Sequence, residues 1–136
     1  MAQLKDTTID GILAVNGVSV NDSLIIESGS NANGKYRKWS DGLLEMWGTI
    51  NIGTINIATA CGGAFYSSII TLPLPVSSST SVDIVGLVAM TNGSIWCSST
   101  TASFHTDDIT VRLFSLVSTT TTSGTKIGYE VKGTWK

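Results

Sequence analysis

The chain ends in an alternation that leaves little choice of backbone. From Lys126 to Lys136, the residues Ile127, Tyr129, Val131, Gly133 and Trp135 take every second place, and Lys126, Gly128, Glu130, Lys132, Thr134 and Lys136 fill the others. A period of two puts successive side chains on opposite faces of an extended chain, so this segment predicts an antiparallel strand with one buried face. Ile109, Val111, Leu113 and Val117 alternate with Thr110 and Arg112 and predict another. Between the two, Ser118–Gly124 reads as a long polar hairpin loop. Helix is nearly excluded: no window of eleven residues avoids both Gly and a concentration of Ile, Val, Thr and Ser.

Further strands are predicted at Leu43–Ile52, Thr54–Thr59, Phe65–Thr71, Val82–Met90 and Ile95–Ser98. The apolar positions change parity at Gly53, which is what a bulge or bend produces. Pro73 and Pro75 remove ladder donors and mark an edge-like break over Leu72–Ser81. Short strands at this spacing predict an all-β, antiparallel β-sandwich.

Composition narrows the classes. One domain fits 136 residues. Only 13% of residues are charged, about half the ~25% of an average domain. Ser and Thr supply 36 residues instead, a surface chemistry that suits an extracellular or particle-exposed β protein. A net charge of −2 and a pI near 5.1 oppose nucleic-acid binding, which wants a basic face. No run of eighteen apolar residues exists, so no membrane insertion is expected. The opening MAQLKDTTIDG lacks the basic and apolar regions of an export signal, which leads us to expect synthesis in a cytosol. There Cys61 and Cys97 are expected to stay reduced, as small core residues.

The segment GKYRKWSDGLLEMWGT, Gly34–Thr49, reads as a tight hairpin. A two-residue type I′ turn at Asp41-Gly42 would put Lys38 opposite Glu45, Tyr36 opposite Trp47, and Trp39 against Leu44. The pattern N-G-x-Y-x-K-W-x-D-G followed by W-G-T resembles the opening of the C-terminal head domain of bacteriophage tail fibres. ITLPLPV, Ile70–Val76, and the terminal IGYEVKGTWK are similar to further parts of such heads. Val82–Thr106 matches no known pattern. The resemblance implies a homotrimer on a virion tail, made in the bacterial host cytoplasm. It would join upstream fibre or baseplate proteins and bind a host surface glycan or protein at the end far from its stem. It carries over no receptor-contacting residues.

Residues 1–30 read either as an N-terminal strand pair of the same domain or, more sharply, as a short extended stem, with 31–136 as the head. Ile9, Leu13, Val15, Val18 and Ile25 lack local partners, so a stem of three intertwined chains would bury them.

Catalytic parts are scarce. His105 lies close to Asp107 and Asp108, a set that suits a metal only where three copies meet on an axis, and otherwise forms a polar turn. We expect no cofactor, no resident metal and no enzyme activity. No G-x-S-x-G elbow accompanies the serines. Glu45 and Glu130, the strand carboxylates among the acids, have cationic neighbours, unlike a glycosidase pair. The expected receptor contacts are Trp96, Tyr66 and His105, with the polar loops Ser77–Ser81, Asn92-Gly93, Ser98–Ser103 and Ser118–Gly124. Trp39, Trp47 and Trp135 read as core or subunit-interface residues. Two other readings fit the sequence: a purely structural virion protein, and a fragment that depolymerises the glycan it binds.

Overall fold

The computed structural model of the chain describes residues 14–15, 18–19, 23–91, 93–100 and 105–136. The described residues contain thirteen strands and no helix. They are β1 (Ala14–Val15), β2 (Val18–Ser19), β3 (Ile25–Asn31), β4 (Gly34–Trp39), β5 (Leu43–Asn51), β6 (Asn56–Cys61) and β7 (Ala64–Ser67). β8 (Ile70–Pro73), β9 (Asp83–Met90), β10 (Ile95–Ser99), β11 (Asp108–Ser115), β12 (Thr119–Thr120) and β13 (Lys126–Thr134) follow. β1 and β2 pair with each other. A five-stranded sheet runs β3-β4-β5-β13-β9, and a second runs β10-β11-β7-β6-β12 with β8 also on β11. Every pairing is antiparallel. The sandwich expected from the sequence is the fold. Its head sheet already includes Ile25–Asn31, so the boundary drawn after residue 30 falls within β3.

The alternations sort side chains as expected. Ile127, Val131, Ile109, Val111 and Leu113 are fully buried, and Tyr129 nearly so. With Leu44, Met46, Ile57 and Leu72 they form the core between the sheets. Val117 departs from its assignment: β11 ends at Ser115 and Val117 is 64% exposed. The parity change at Gly53 is where the chain leaves β5 and crosses to β6 in the other sheet. Gly53 has φ of 65° there, and its N–H donates to Asn51 Oδ1 at 2.8 Å. Ser118–Gly124 is no simple hairpin loop, because β11 and β13 belong to different sheets and Thr119–Thr120 pairs with β6. Thr121, buried, buckles the crossover: its hydroxyl accepts from Ile55 N at 2.7 Å and donates to Gly53 O at 2.8 Å.

The hairpin register differs from expectation by one residue. Lys38 pairs with Leu44, Arg37 with Glu45, Tyr36 with Met46 and Lys35 with Trp47. Lys38 and Glu45 therefore lie on opposite faces. The turn is a type I turn over Trp39–Gly42, closed by Gly42 N donating to Trp39 O at 3.0 Å, with Gly42 at φ of 101° in the following bulge. Asp41 Oδ1 accepts from Leu43 N at 3.0 Å, a bond available one place before the left-handed residue. Arg37 then approaches Glu45 at 3.7 Å and stacks over Trp47 at 4.7 Å.

The glycines of the motif serve close approach. A Cβ on Gly34, whose φ is 144°, would lie 2.5 Å from Trp47 O and 2.5 Å from the Tyr129 hydroxyl; one on Gly48 would lie 2.8 Å from Gly34 Cα. The two bare backbones make room for the Tyr129 hydroxyl to donate to Asn33 O at 2.6 Å.

Candidate functional site

β7 and β8 both pair with β11, but one residue out of step: Tyr66 faces Phe114, whereas Thr71 faces Thr110. The single strand expected over Phe65–Thr71 is thus broken at Ser68–Ile69. Ser67 repairs the ladder there, its hydroxyl accepting from Leu113 N at 3.0 Å and donating to Ser68 O at 2.7 Å. On the far side of β11, Trp96 of β10 faces Phe114, and Ser98 faces Arg112. Since Leu113 and Ser115 point into the core, Arg112 and Phe114 point outward, and the side chains paired with Phe114 share their face.

The outcome is a row of three aromatic rings on the outer face of the second sheet. Trp96 and Phe114 stack with centroids 6.0 Å apart and planes 15° apart. Phe114 and Tyr66 are 6.4 Å apart with planes tilted by 45°. The Arg112 guanidinium lies over the Tyr66 ring at 4.6 Å. Trp96 is 42% exposed, and Tyr66, Phe114 and Arg112 are half-buried. The row is held by two strand pairings and by mutual stacking, so its geometry is set before any ligand arrives.

Its place in the molecule is also defined. Ser23 donates to Asp41 Oδ2 at 2.7 Å, and Trp135 N donates to Gly42 O at 3.1 Å. The chain therefore enters the head at the β4–β5 turn. His105 is at this entry end, where its carbonyl accepts from Val82 N at 3.0 Å while Ser79 N donates to Thr134 O at 2.6 Å. Phe114 is six residues along β11 from Asp108, a strand length of about 20 Å. Trp96 and Tyr66 thus meet at the end away from chain entry.

His105 does not join them. Its Nδ1 is engaged by Asp108 Oδ1, a polar turn before β11, and no group of three metal-binding side chains occurs among the described residues. The loops divide the same way. Ser77–Ser81 belongs to the entry end and is structural in part. Buried Ser78 accepts from Thr134 N at 3.0 Å and donates to Thr134 O at 3.1 Å. Of Ser98–Ser103, residues 101–103 lie outside the described residues; Asn92 does too. Cys61 is exposed at the β6–β7 turn rather than in the core, whereas Cys97 packs against the core with its thiol pKa raised by burial. Both are free thiols.

Two of the strand carboxylates, Glu27 and Glu45, are committed to local partners. Glu27 accepts from the Tyr36 hydroxyl at 2.7 Å and from Lys38 Nζ at 3.1 Å. These bonds hold its pKa below the usual value, the direction opposite to that of a general acid. Glu45 accepts from Trp39 Nε1 and pairs with Arg37. Trp135 Nε1 donates to Trp39 O at 2.6 Å, which gives both tryptophans a structural role.

A second surface lies on the outer face of the five-stranded sheet. Trp47, Val88 and Met90 rim a shallow, mostly apolar depression of about 420 Å³ beside Gly86 and Gly128. Val88 and Met90 are about half exposed.

No protein-family model matches the chain, and no curated protein does. Its structure is similar to that of the P. aeruginosa R1 pyocin fibre, solved as a fragment comprising C-terminal residues 323–701. The two are 14% identical, the match covers 98% of this chain and 39% of that one, and the TM-score is 0.51. At that identity the likeness is one of fold, a tail-fibre-like β architecture. The chain spans well under half the length of the fibre fragment it matches.

Proposed function

We propose that the chain is the receptor-binding head of a phage or phage-tail-like fibre, displayed on the tail, and that it binds a glycan of the target cell surface without cleaving it. One observation carries this reading: Trp96, Phe114 and Tyr66 form a single preformed row at the end of the head away from chain entry. Aromatic faces take the apolar faces of sugar rings, and the neighbouring hydroxyls hydrogen-bond sugars without the desolvation cost of buried charge. A fibre anchored through its N-terminal part presents that end to the cell.

Trimerisation belongs to the same proposal. Ile25 and Ile26 are 47% and 53% exposed in the single chain, at the place where the stem would meet its copies. Burial of apolar surface contributes roughly 25 cal/mol per Å². Weak sites repeated three times on one fibre gain avidity.

The test is cell binding across a panel of bacterial isolates by the parent and by folded Trp96→Ala, Phe114→Ala and Tyr66→Ala variants. Loss of binding in the variants is expected, with no release of reducing ends from the bound polysaccharide. Equal binding by parent and variants would overturn the site. Released reducing ends would establish a depolymerase instead.

A further inference from the structure

The chain has two arginines, and they are treated differently. Arg37 has a carboxylate partner in Glu45 at 3.7 Å. Arg112 takes part in none of the ion pairs among the described residues. Its Nε, like that of Arg37, is enclosed without a hydrogen-bond partner, and its guanidinium lies over Tyr66 at 4.6 Å. The outer-face neighbours of Arg112 on β11 and β10 are Thr110, Phe114 and Ser98, all uncharged. Asp108, on the same strand, is about 13 Å away by strand rise and is engaged by His105. In a chain of net charge −2, this half-buried cation has no counter-charge among the described residues and sits beside an aromatic row.

We infer that the ligand of this face is an acidic glycan, whose carboxylate or phosphate meets Arg112 while its sugar rings lie on Trp96, Phe114 and Tyr66. The inference rests on the binding role proposed above. A guanidinium offers a planar fork of donors that matches both anions, and charge-assisted bonds are about twice as strong as neutral ones. Stacking on Tyr66 holds the fork in one orientation, so little side-chain freedom is lost on binding. Partial removal from water keeps the attraction from being screened as a fully exposed pair would be.

The experiment is an array of bacterial surface polysaccharides, neutral and acidic. Each uronate polymer is also printed after carboxyl reduction and each phosphorylated one after dephosphorylation, so the arms separate the two anions. Folding of each variant is checked by circular dichroism. The parent is expected to retain acidic polymers at least tenfold more strongly than their neutralised counterparts, with the ratio shrinking as salt rises. Arg112→Gln should reduce that ratio to near one, and Arg112→Lys should keep part of it. Binding that needs Trp96 but is equal for charged and neutralised polymers would overturn this inference and leave the site intact. Binding unaffected by Trp96→Ala and Arg112→Gln alike, or no retention of any polymer, would overturn both.

Discussion

Replacing Gly34 with Ala adds one methyl group at a crowded junction between β4, β5 and β13. The new Cβ would be 2.5 Å from the Trp47 carbonyl oxygen and 2.5 Å from the Tyr129 hydroxyl. The carbonyl belongs to the β5 backbone, so it cannot swing aside. The residue also has φ of 144°, and holding a non-glycine residue in such a region costs on the order of 1–3 kcal/mol. Displacing the Tyr129 hydroxyl from Asn33 O adds about 1 kcal/mol for the lost hydrogen bond. The sum, about 3 kcal/mol, is a large part of the 5–15 kcal/mol that typically holds a domain together. For a domain of this size it corresponds to a fall in Tm of roughly 10 °C. Thermal unfolding followed by circular dichroism, at matched chain concentration, measures it. Gly86→Ala is the control: its Cβ would meet nothing within 4 Å and its φ is not positive, so a change within about 1 kcal/mol is expected. Combining Gly34→Ala with Tyr129→Phe removes one of the two obstructions and should recover part of the loss. A Gly34→Ala protein unfolding within about 2 °C of the parent would refute the close-approach argument.

Further outcomes follow from the same geometry. Gly42→Val should lower stability by about 1–3 kcal/mol in denaturant titration, because Gly42 occupies a left-handed bulge at φ of 101°. Leu113→Ala, emptying a fully buried site, should cost about 2–5 kcal/mol. Glu27 and Asp41 have pKa values lowered from 4.5 and 3.8, first by the Tyr36 and Leu43 hydrogen bonds respectively. Their stabilisation is present above those ordinary values and is lost as pH falls through the lowered ones, so acid titration of the fold should show less sensitivity below pH ~4 in Glu27→Gln. Burial pushes the Tyr129 phenol up to about 12; its stabilisation is present below pH ~10 and lost as pH rises toward 12, which Tyr129→Phe should remove from the alkaline limb. Light scattering is expected to give about three times the 14.3 kDa chain mass; a 14.3 kDa species at micromolar concentration would refute the trimer.

The strands were legible because burial on one face writes parity directly into sequence, as in Ile109–Leu113 and Ile127–Val131. Register was not. Arg37 and Lys38 are both cations, so either pairs with Glu45, and Ser40-Asp41-Gly42 fits a type I turn with a bulge as well as a type I′ turn. Trp96 and Tyr66 could be named as exposed aromatics, but their meeting depends on Phe114, which joins strands 48 residues apart in sequence between Tyr66 and Phe114. Phe114 shares parity with Thr110 and Arg112, and that outward placement was the one signal available for it. His105 shares with them an aromatic ring near a predicted loop, but β11 separates it from them along its length. The structural burden on Ser78 and Thr121 was equally hidden, since hydroxyls that clamp distant backbone look like any loop residue.

The most direct measurement is retention of the purified protein on an array of bacterial surface polysaccharides, beside a folded Trp96→Ala/Phe114→Ala variant. The parent is expected to bind a subset of the glycans and the variant to lose at least tenfold on each of them. Retention by the variant equal to that of the parent, or a parent that binds no surface glycan, would contradict it.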